Sequence, residues 1–478
     1  MGRIEPGSHR DQNAGPRSRA PQEHRLPWFT VIILIGLAVT ALVLPSDTPE
    51  DVFRTAALGV GSSAAVATAI LGLASMRNLL RTDVIIIWVL YLLTFYEFLF
   101  PQSKVNSLIS GAESVGGTYA ALLAFAGLVA GRYLVRRPPS DATLMPARLD
   151  IKPSHIIQLF VLSTIVGFFH MFVSVDFDPL EVIRQFSLPR FSQAWSRGQY
   201  GGAYALLYEL GMLIYLIPPI SGLIFARPKE YKIWQKVLVA IVLAFTLYYG
   251  FSTGTRNILG TYVVTFGCAY FLSKPKMKLW QLIGLGGSAL ALSLVAMSFM
   301  LEFRTTGLSG FSFEKSDIEN VYVDYNMVIV SKLVEAFPDQ YDFLGLEIPF
   351  NALIRPIPRV LWPGKPEGLS VTMESVVGAA AQTSVSSTFV GESYMAAGFA
   401  GVLFFGLFFG ALAEAWNRVG RHINSQFAQL LYVTGLVCAA ITMRSMLWFL
   451  PMALPAFVLW LYGKYIRRGK VLRGAQLR

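Results

Sequence analysis

Charge is what this sequence has least of. Only 14% of its 478 residues are Asp, Glu, Lys or Arg, while 54% are hydrophobic. Soluble domains average about 25% charged residues, so the composition argues against a water-soluble enzyme and for a polytopic membrane protein. Cysteine is almost missing too. Cys268 and Cys438 are the only two, each inside an apolar run. They are too few for a disulfide framework or a metal site and are expected as small core residues. There is no Walker A loop, which speaks against ATP hydrolysis within the chain. There is no HExxH and no Cys/His cluster, so no metal site is expected. There is no GxSxG nucleophile turn either. Ionisable residues deep in the apolar runs are few, with Glu97 and Glu209 the main ones. Ion-coupled transporters place such groups near the bilayer midplane.

What is present is a series of apolar runs, each long enough to cross a bilayer as a helix of about 17–25 residues. Twelve are expected, near 28–44, 53–74, 84–101, 117–136, 155–174, 203–226, 236–252, 257–272, 280–301, 393–416, 426–443 and 447–463. The fold class expected is therefore all-α and polytopic, a single transmembrane domain over 28–463. Residues 1–27 are polar, rich in Arg and Pro, and expected as a disordered tail. Residues 464–478 form a basic tail. The first apolar run has no small-residue cleavage site, so a retained helix is expected rather than a signal peptide.

Lys and Arg fix the expected orientation. With the N-terminus inside, 27 of the 40 Lys and Arg fall in the tails and inner connections. These include Arg77 and Arg81, Arg132 to Lys152, Arg227 to Lys236, Lys274 to Lys278, and Arg418 and Arg421. The pattern follows the positive-inside rule with both termini cytoplasmic. The net charge of +11 then reflects orientation, and no nucleic acid is needed to explain it. Two outer loops are long, 175–202 and 303–392, the second too long for a mere connector and expected to be partly helical.

The outer cations carry the functional signal, because orientation rules disfavour them there. Arg54, Arg184, Arg190, Arg197, Arg256, Arg304, Arg355, Arg359 and Arg444 make up most of the set. Arg256 and Arg444 sit in short connections, "FSTGTRNILG" and "ITMRSMLW". A guanidinium at the hydrocarbon edge needs an anion or a cavity. Its planar fork suits phosphate oxygens. "RPIPRVLWPGKP", residues 355–366, presents Arg355, Arg359 and Lys365 on a proline-stiffened backbone, with Trp362 as an apolar anchor. A clamp for a lipid-linked phosphate is one reading; a structural proline corner is the other. The 175–202 loop interleaves Arg184, Arg190 and Arg197 with Phe186, Phe191, Trp195 and Tyr200, as a sugar-binding surface or as an amphipathic interfacial helix. Glu392 and Tyr394 in "TFVGESYMAAG", and Glu302 in "FMLEFRTTG", lie near outer helix ends. Either carboxylate could act as a general base or sit in a structural Glu–Arg pair. His170 is expected as a packed histidine and Asp324 as solvated. Gly398, Gly401, Gly406 and Gly410 have the small-xxx-small spacing of close helix packing.

"STGTRNILG", "RPIPRVLWPGKP" and "TFVGESYMAAGFAGVLFFG", the last following a long outer loop, together resemble the bacterial oligosaccharide repeat-unit polymerases. These are the Wzy-type polymerases of O-antigen, capsule and exopolysaccharide assembly. The resemblance implies a GT-C-like, polytopic inner-membrane glycosyltransferase, inverting and independent of metal, cofactor and nucleotide sugar. Its substrate would be a glycan on undecaprenyl pyrophosphate, transferred on the periplasmic face to the sugar of a second carrier-linked unit. Arg256, Arg355, Arg359, Glu392 and Tyr394 fall on the motif positions. Arg304, Arg197 and Arg444 join them by position alone. Membrane lipids, a chain-length regulator and a flippase of the same pathway are further expected partners. The alternatives are an O-antigen ligase, weakened because the one outer histidine, His170, is not in the large loop, and a lipid-linked oligosaccharide flippase or exporter.

Overall fold

The structure is a computed structural model. It describes residues 26–45, 47–135, 149, 151–195, 207, 209–274, 324–357, 359, 361–366, 368–378, 386–420 and 425–475, with isolated positions between 281 and 310. Every element among the described residues is helical. Among the described residues, seven helices are long and apolar enough to cross a membrane, and four shorter apolar helices accompany them. This is a membrane-embedded, all-α architecture. Eleven of the twelve expected ranges each overlap one of these helices. The other, 280–301, lies largely outside the described residues.

Two apolar clusters form the core. The first is built by α1 (Leu26–Leu42), α2 (Pro49–Ala74), α3 (Thr82–Thr94) and α4 (Gly111–Gly131) with two later helices, α10 (Asn326–Ala336) and α13 (Thr388–Gly420). The second is built by α5 (Pro153–Ser174), α7 (Ile217–Ala226), α8 (Ile233–Ser252), α9 (Arg256–Ser273), α14 (Gln426–Arg444) and α15 (Phe449–Ala475). Short helices α6 (Pro179–Gln185), α11 (Glu347–Ile354) and α12 (Met373–Val377) lie in the connections. Local signals set the helix starts. Thr48 caps α2 by accepting from the Asp51 N–H at 3.2 Å, with Pro49 in the first turn. Ser110 and Glu113 form a capping box on α4.

Of the four stripe glycines, Gly406 and Gly410 pack α13 on α4, while Gly401 faces the Ser393 carbonyl and Gly398 faces Phe343. A Cβ at Gly406 would stand 3.1 Å from the Gly127 Cα, and one at Gly410 would stand 2.2 Å from the Leu128 carbonyl. Backbone cannot yield there as a side chain can. Gly410→Val is expected to destabilise the fold by about 1–3 kcal/mol, the usual cost of overpacking, read as a lowered unfolding temperature in detergent. An unchanged midpoint would mean that this contact is looser than its distances imply.

Two features differ from a simple outer loop over 303–392. First, α10 is buried in the first cluster, packed on α4. Asn326 donates to the Leu93 carbonyl at 2.8 Å, and a Cβ at Gly117 would meet the Ser331 Oγ at 2.2 Å. The eleven residues of α10 are too short for a span-length hydropathy window to register. Second, α13 is two helices. Ala397 (φ −161°, ψ 36°) and Gly398 (φ 60°, ψ −147°) break it. The freed carbonyls of Met395 and Ala396 accept from the Leu344 and Gly345 N–H groups at 2.8 and 2.9 Å. The arm 388–396 folds back along the second arm, bringing the Phe389 and Phe409 ring centroids within 5.7 Å. An unbroken helix would separate them by about 30 Å.

Candidate functional site

The break in α13 places Glu392 on the short arm, below the bend and inside the bundle. Its side chain is 2% exposed. One carboxylate oxygen accepts from the Ser445 hydroxyl, the other from the Met446 N–H at 2.6 Å. Ser445 and Met446 belong to the tight turn between α14 and α15, so Glu392 holds that turn from beneath. Trp448, in the same turn, is capped by Arg355, whose guanidinium carbon lies 4.4 Å from the ring centroid. Arg355 is also within electrostatic reach of Glu392. Stacking on an aromatic face holds a guanidinium without using all of its donors.

Arg444 ends α14 immediately before this turn. Arg304 is its neighbour. Burial first, and the Arg444 charge second, push the Arg304 guanidinium below its ordinary pKa. Among the described residues neither arginine forms an ion pair. Asp324 and Tyr215 lie within electrostatic reach of Arg444. The Asp324 N–H is tied at 2.8 Å to a Glu97 carboxylate oxygen.

Arg304 is seated by Gly254 and Phe191. Gly254 has φ +60°, and a Cβ there would meet the Arg304 stem at 2.5 Å. Only glycine permits both that turn and that approach. The Phe191 ring carries Arg304 at 4.9 Å and Arg190 at 5.6 Å, and Arg190 donates to the Thr255 hydroxyl at 2.9 Å. The 187–190 segment is anchored by the Leu308 N–H on the Ser187 carbonyl at 2.8 Å.

The proline loop closes on itself. Lys365 donates to the Arg355 and Ile357 carbonyls at 3.0 and 2.8 Å, and Arg359 to the Pro366 carbonyl at 3.3 Å. Lys365 therefore staples the loop. Burial lowers its pKa, Glu209 opposes that, and Arg359 and Arg355 lower it further, so Glu209 also approaches the loop.

The structure thus brings together Arg304, Arg444, Arg355, Glu392 and, around Lys365, Arg359 and Glu209. Arg190 joins them through Phe191. Tyr394 is not brought to Glu392. It points into the core, its hydroxyl donating to the Val334 carbonyl at 3.4 Å and its ring packed on Phe343 and Phe399. An orienting role for it beside Glu392 does not fit that packing. Trp362 is half-buried, and its carbonyl accepts from the Lys365 N–H at 3.0 Å. Glu302 is half-buried one turn before Thr306, whose hydroxyl donates to its carbonyl at 2.8 Å. His170 is buried, with Nδ1 2.8 Å from the Gly167 carbonyl, the packing expected of it. Arg197 and the side chain of Arg256 lie outside the described residues. Ser445 and Trp448 were not foreseen. Their signal was adjacency to Arg444 in "RSMLW".

A second polar group lies at the other ends of α3, α4 and α13. Asp83 takes Arg81 and Arg132 at 2.9 Å each, and Glu414 takes Arg81 at 2.7 Å and Arg418 at 3.3 Å. Asn417 accepts from the Thr82 N–H at 2.8 Å and from Tyr432 at 3.1 Å. Sequence reasoning placed the three arginines in the inner connections, as orientation charge. Glu414, an acid inside an apolar run, was the missed signal, since such a group requires a partner.

Taken together, fold and site define a membrane-embedded helical protein with a broken core helix and a partly buried group of arginines. A family model described as "Domain of unknown function (DUF8712)" matches residues 323–441. That stretch holds α10 through the proline loop to Glu392, and stops three residues before Arg444. No curated protein and no solved structure matches the chain.

Proposed function

We propose that this protein is a twelve-span glycosyltransferase of the bacterial inner membrane, polymerising oligosaccharide units carried on undecaprenyl pyrophosphate, with both termini cytoplasmic and the site facing the periplasm. The observation that carries this reading is Arg304 beside Arg444, two arginines from distant segments with no ion pair among the described residues. Like charges gathered in a partly buried place favour a polyanion between them. Pyrophosphate supplies that charge, and Arg355 adds a third guanidinium across the turn. In the reaction, an acceptor hydroxyl oxygen forms a bond to the donor's anomeric carbon. The bond from that carbon to the pyrophosphate oxygen breaks, and its electron pair stays on undecaprenyl pyrophosphate. The hydroxyl proton passes to a carboxylate or to solvent. Arginine charge stabilises the leaving group as it develops. Direct displacement inverts the anomeric centre.

Glu392 takes a positioning role here, since both of its oxygens serve the Ser445–Met446 turn. Asp324, exposed and within electrostatic reach of Arg444, becomes the candidate base. Glu392→Gln keeps the shape and one good acceptor, and is expected to lower turnover about tenfold. A lost general base costs about 10²–10⁴-fold. Turnover at the lower end of that range, with Asp324→Asn unaffected, would return the base role to Glu392.

The broken α13 favours a second reading, a lipid-linked oligosaccharide flippase, because discontinuous helices line transport sites. Reconstitution decides. Purified protein is mixed with an undecaprenyl-pyrophosphate-linked oligosaccharide and the glycans are run on a gel. A ladder with released undecaprenyl pyrophosphate is expected. Unextended glycan that instead crosses the liposome bilayer would establish the flippase.

A further inference from the structure

Between the site-side halves of α5 and α8 lies an apolar cavity of about 400 Å³. Ile165, Phe168, Phe169 and Phe172 line one wall, Ile241 and Phe245 the other. Ile165 and Ile241 are more than half exposed, so the groove opens sideways, toward lipid in a membrane-embedded chain. A row of packed aromatic rings links its wall to the arginine site. Phe245 meets Phe186 at 5.1 Å, Phe186 meets Tyr248 at 5.8 Å, and Tyr248 meets Phe303 at 6.3 Å. Phe303 precedes Arg304, which rests on Phe191 beside Arg190.

We infer that this groove seats the isoprenoid tail of the lipid-linked substrate, starting from the units nearest the pyrophosphate. The inference rests on the function proposed above and adds the tail's place. Its argument is complementarity along one line. A predominantly apolar slot opening to lipid lies one row of packed rings from a group of guanidiniums. The matching molecule has a long branched hydrocarbon joined directly to several negative charges. A phosphodiester lipid brings a single negative charge to the same place, one for the two guanidiniums of Arg304 and Arg444. Burying hydrocarbon in the slot adds affinity in proportion to the area covered, so tail length should matter to binding.

The test uses the full-length protein in detergent and an undecaprenyl pyrophosphate analogue with a diazirine in its first isoprene units. Adducts are expected within 164–177 and 241–245, competed by undecaprenyl pyrophosphate and not by phosphatidylglycerol. A paired measurement compares this lipid with geranyl pyrophosphate in binding. Ile165→Trp with Ile241→Trp fills the slot, and is expected to weaken the long-chain ligand about tenfold or more while geranyl pyrophosphate stays within about twofold. Retained geranyl pyrophosphate binding also reports that the variant folds. Adducts confined to other helices, or equal competition by phosphatidylglycerol, overturn the groove assignment and leave the pyrophosphate reading standing. Failure of both pyrophosphates to bind the wild type removes the proposed function as well.

Discussion

Arg444→Ala is expected to reduce transfer by at least about 10²–10³-fold, the scale set by removing one preorganised charge donor from a reacting centre. The protein should still insert and purify as a single species. Arg444 sits at the last turn of α14, within electrostatic reach of Arg304 and next to the Ser445–Trp448 turn that Glu392 and Arg355 hold. Removing it relieves repulsion with Arg304, so the fold should lose little and could gain. The loss should therefore appear in the chemical step and in pyrophosphate affinity, with the unfolding midpoint held or raised. That combination separates a charge kept for a ligand from one kept for structure. Arg444→Lys should recover only a small part of the rate, because an ammonium cannot offer a planar two-donor fork. Arg304→Ala should behave alike, and the double variant should lose less than the product of the single losses, since both act on one group. Near-wild-type polymer from Arg444→Ala would sink the arginine site as proposed.

Arg359 falls lower in this ranking than the sequence suggested. From "RPIPRVLWP" it looks equivalent to Arg355. In the fold, Arg355 is drawn onto Trp448, whereas Arg359 is exposed and reaches the Pro366 carbonyl. Arg359→Ala is expected to weaken the loop and cost less activity than Arg355→Ala, measured side by side.

The sequence made the helices legible because hydropathy over a span is a sum, and sums survive local irregularity. What it left hidden depends on pairs. The apolar window over 393–416 gave no sign that Ala397 and Gly398 turn the chain back, since a break with satisfied carbonyls needs no change in hydropathy. Only Gly398, with its left-handed φ, carried a local signal. Asn326–Ala336 was hidden by its length. The outer arginines were visible as a surplus. Their partners were not, because Arg304 and Arg444, within electrostatic reach of each other, lie 140 positions apart in sequence, and no periodicity encodes that. Glu392 was visible as a carboxylate near a helix end. Its duty became readable only when Ser445 and Met446 were seen to use both of its oxygens.

The ionic group at the far ends of α3, α4 and α13 gives the largest expected effect on stability. Asp83→Ala should destabilise the protein by about 3–5 kcal/mol, the cost of stranding a buried charge. Arg132 is the reason. It is 5% exposed, and Asp83 is its ion-pair partner at 2.9 Å. Its remaining support is the Phe29 ring at 4.7 Å, and Nε and Nη1 have no hydrogen-bond partner among the described residues. Arg81 would still hold Glu414 at 2.7 Å, whereas Arg132 would be left as an uncompensated charge in an apolar bundle. Replacing that charge as well should then help: Asp83→Ala with Arg132→Met should be more stable than Asp83→Ala alone, although it is further from the wild type in sequence. Thermal unfolding in detergent, followed by the monodisperse fraction, ranks the three proteins. The group is built at the end of α3 opposite the one that meets Asn326, so pyrophosphate binding by the fraction that stays folded should be unchanged. A single variant within about 0.5 kcal/mol of wild type, the range of ordinary surface substitutions, would mean that water reaches Arg132 and that these charges are solvated.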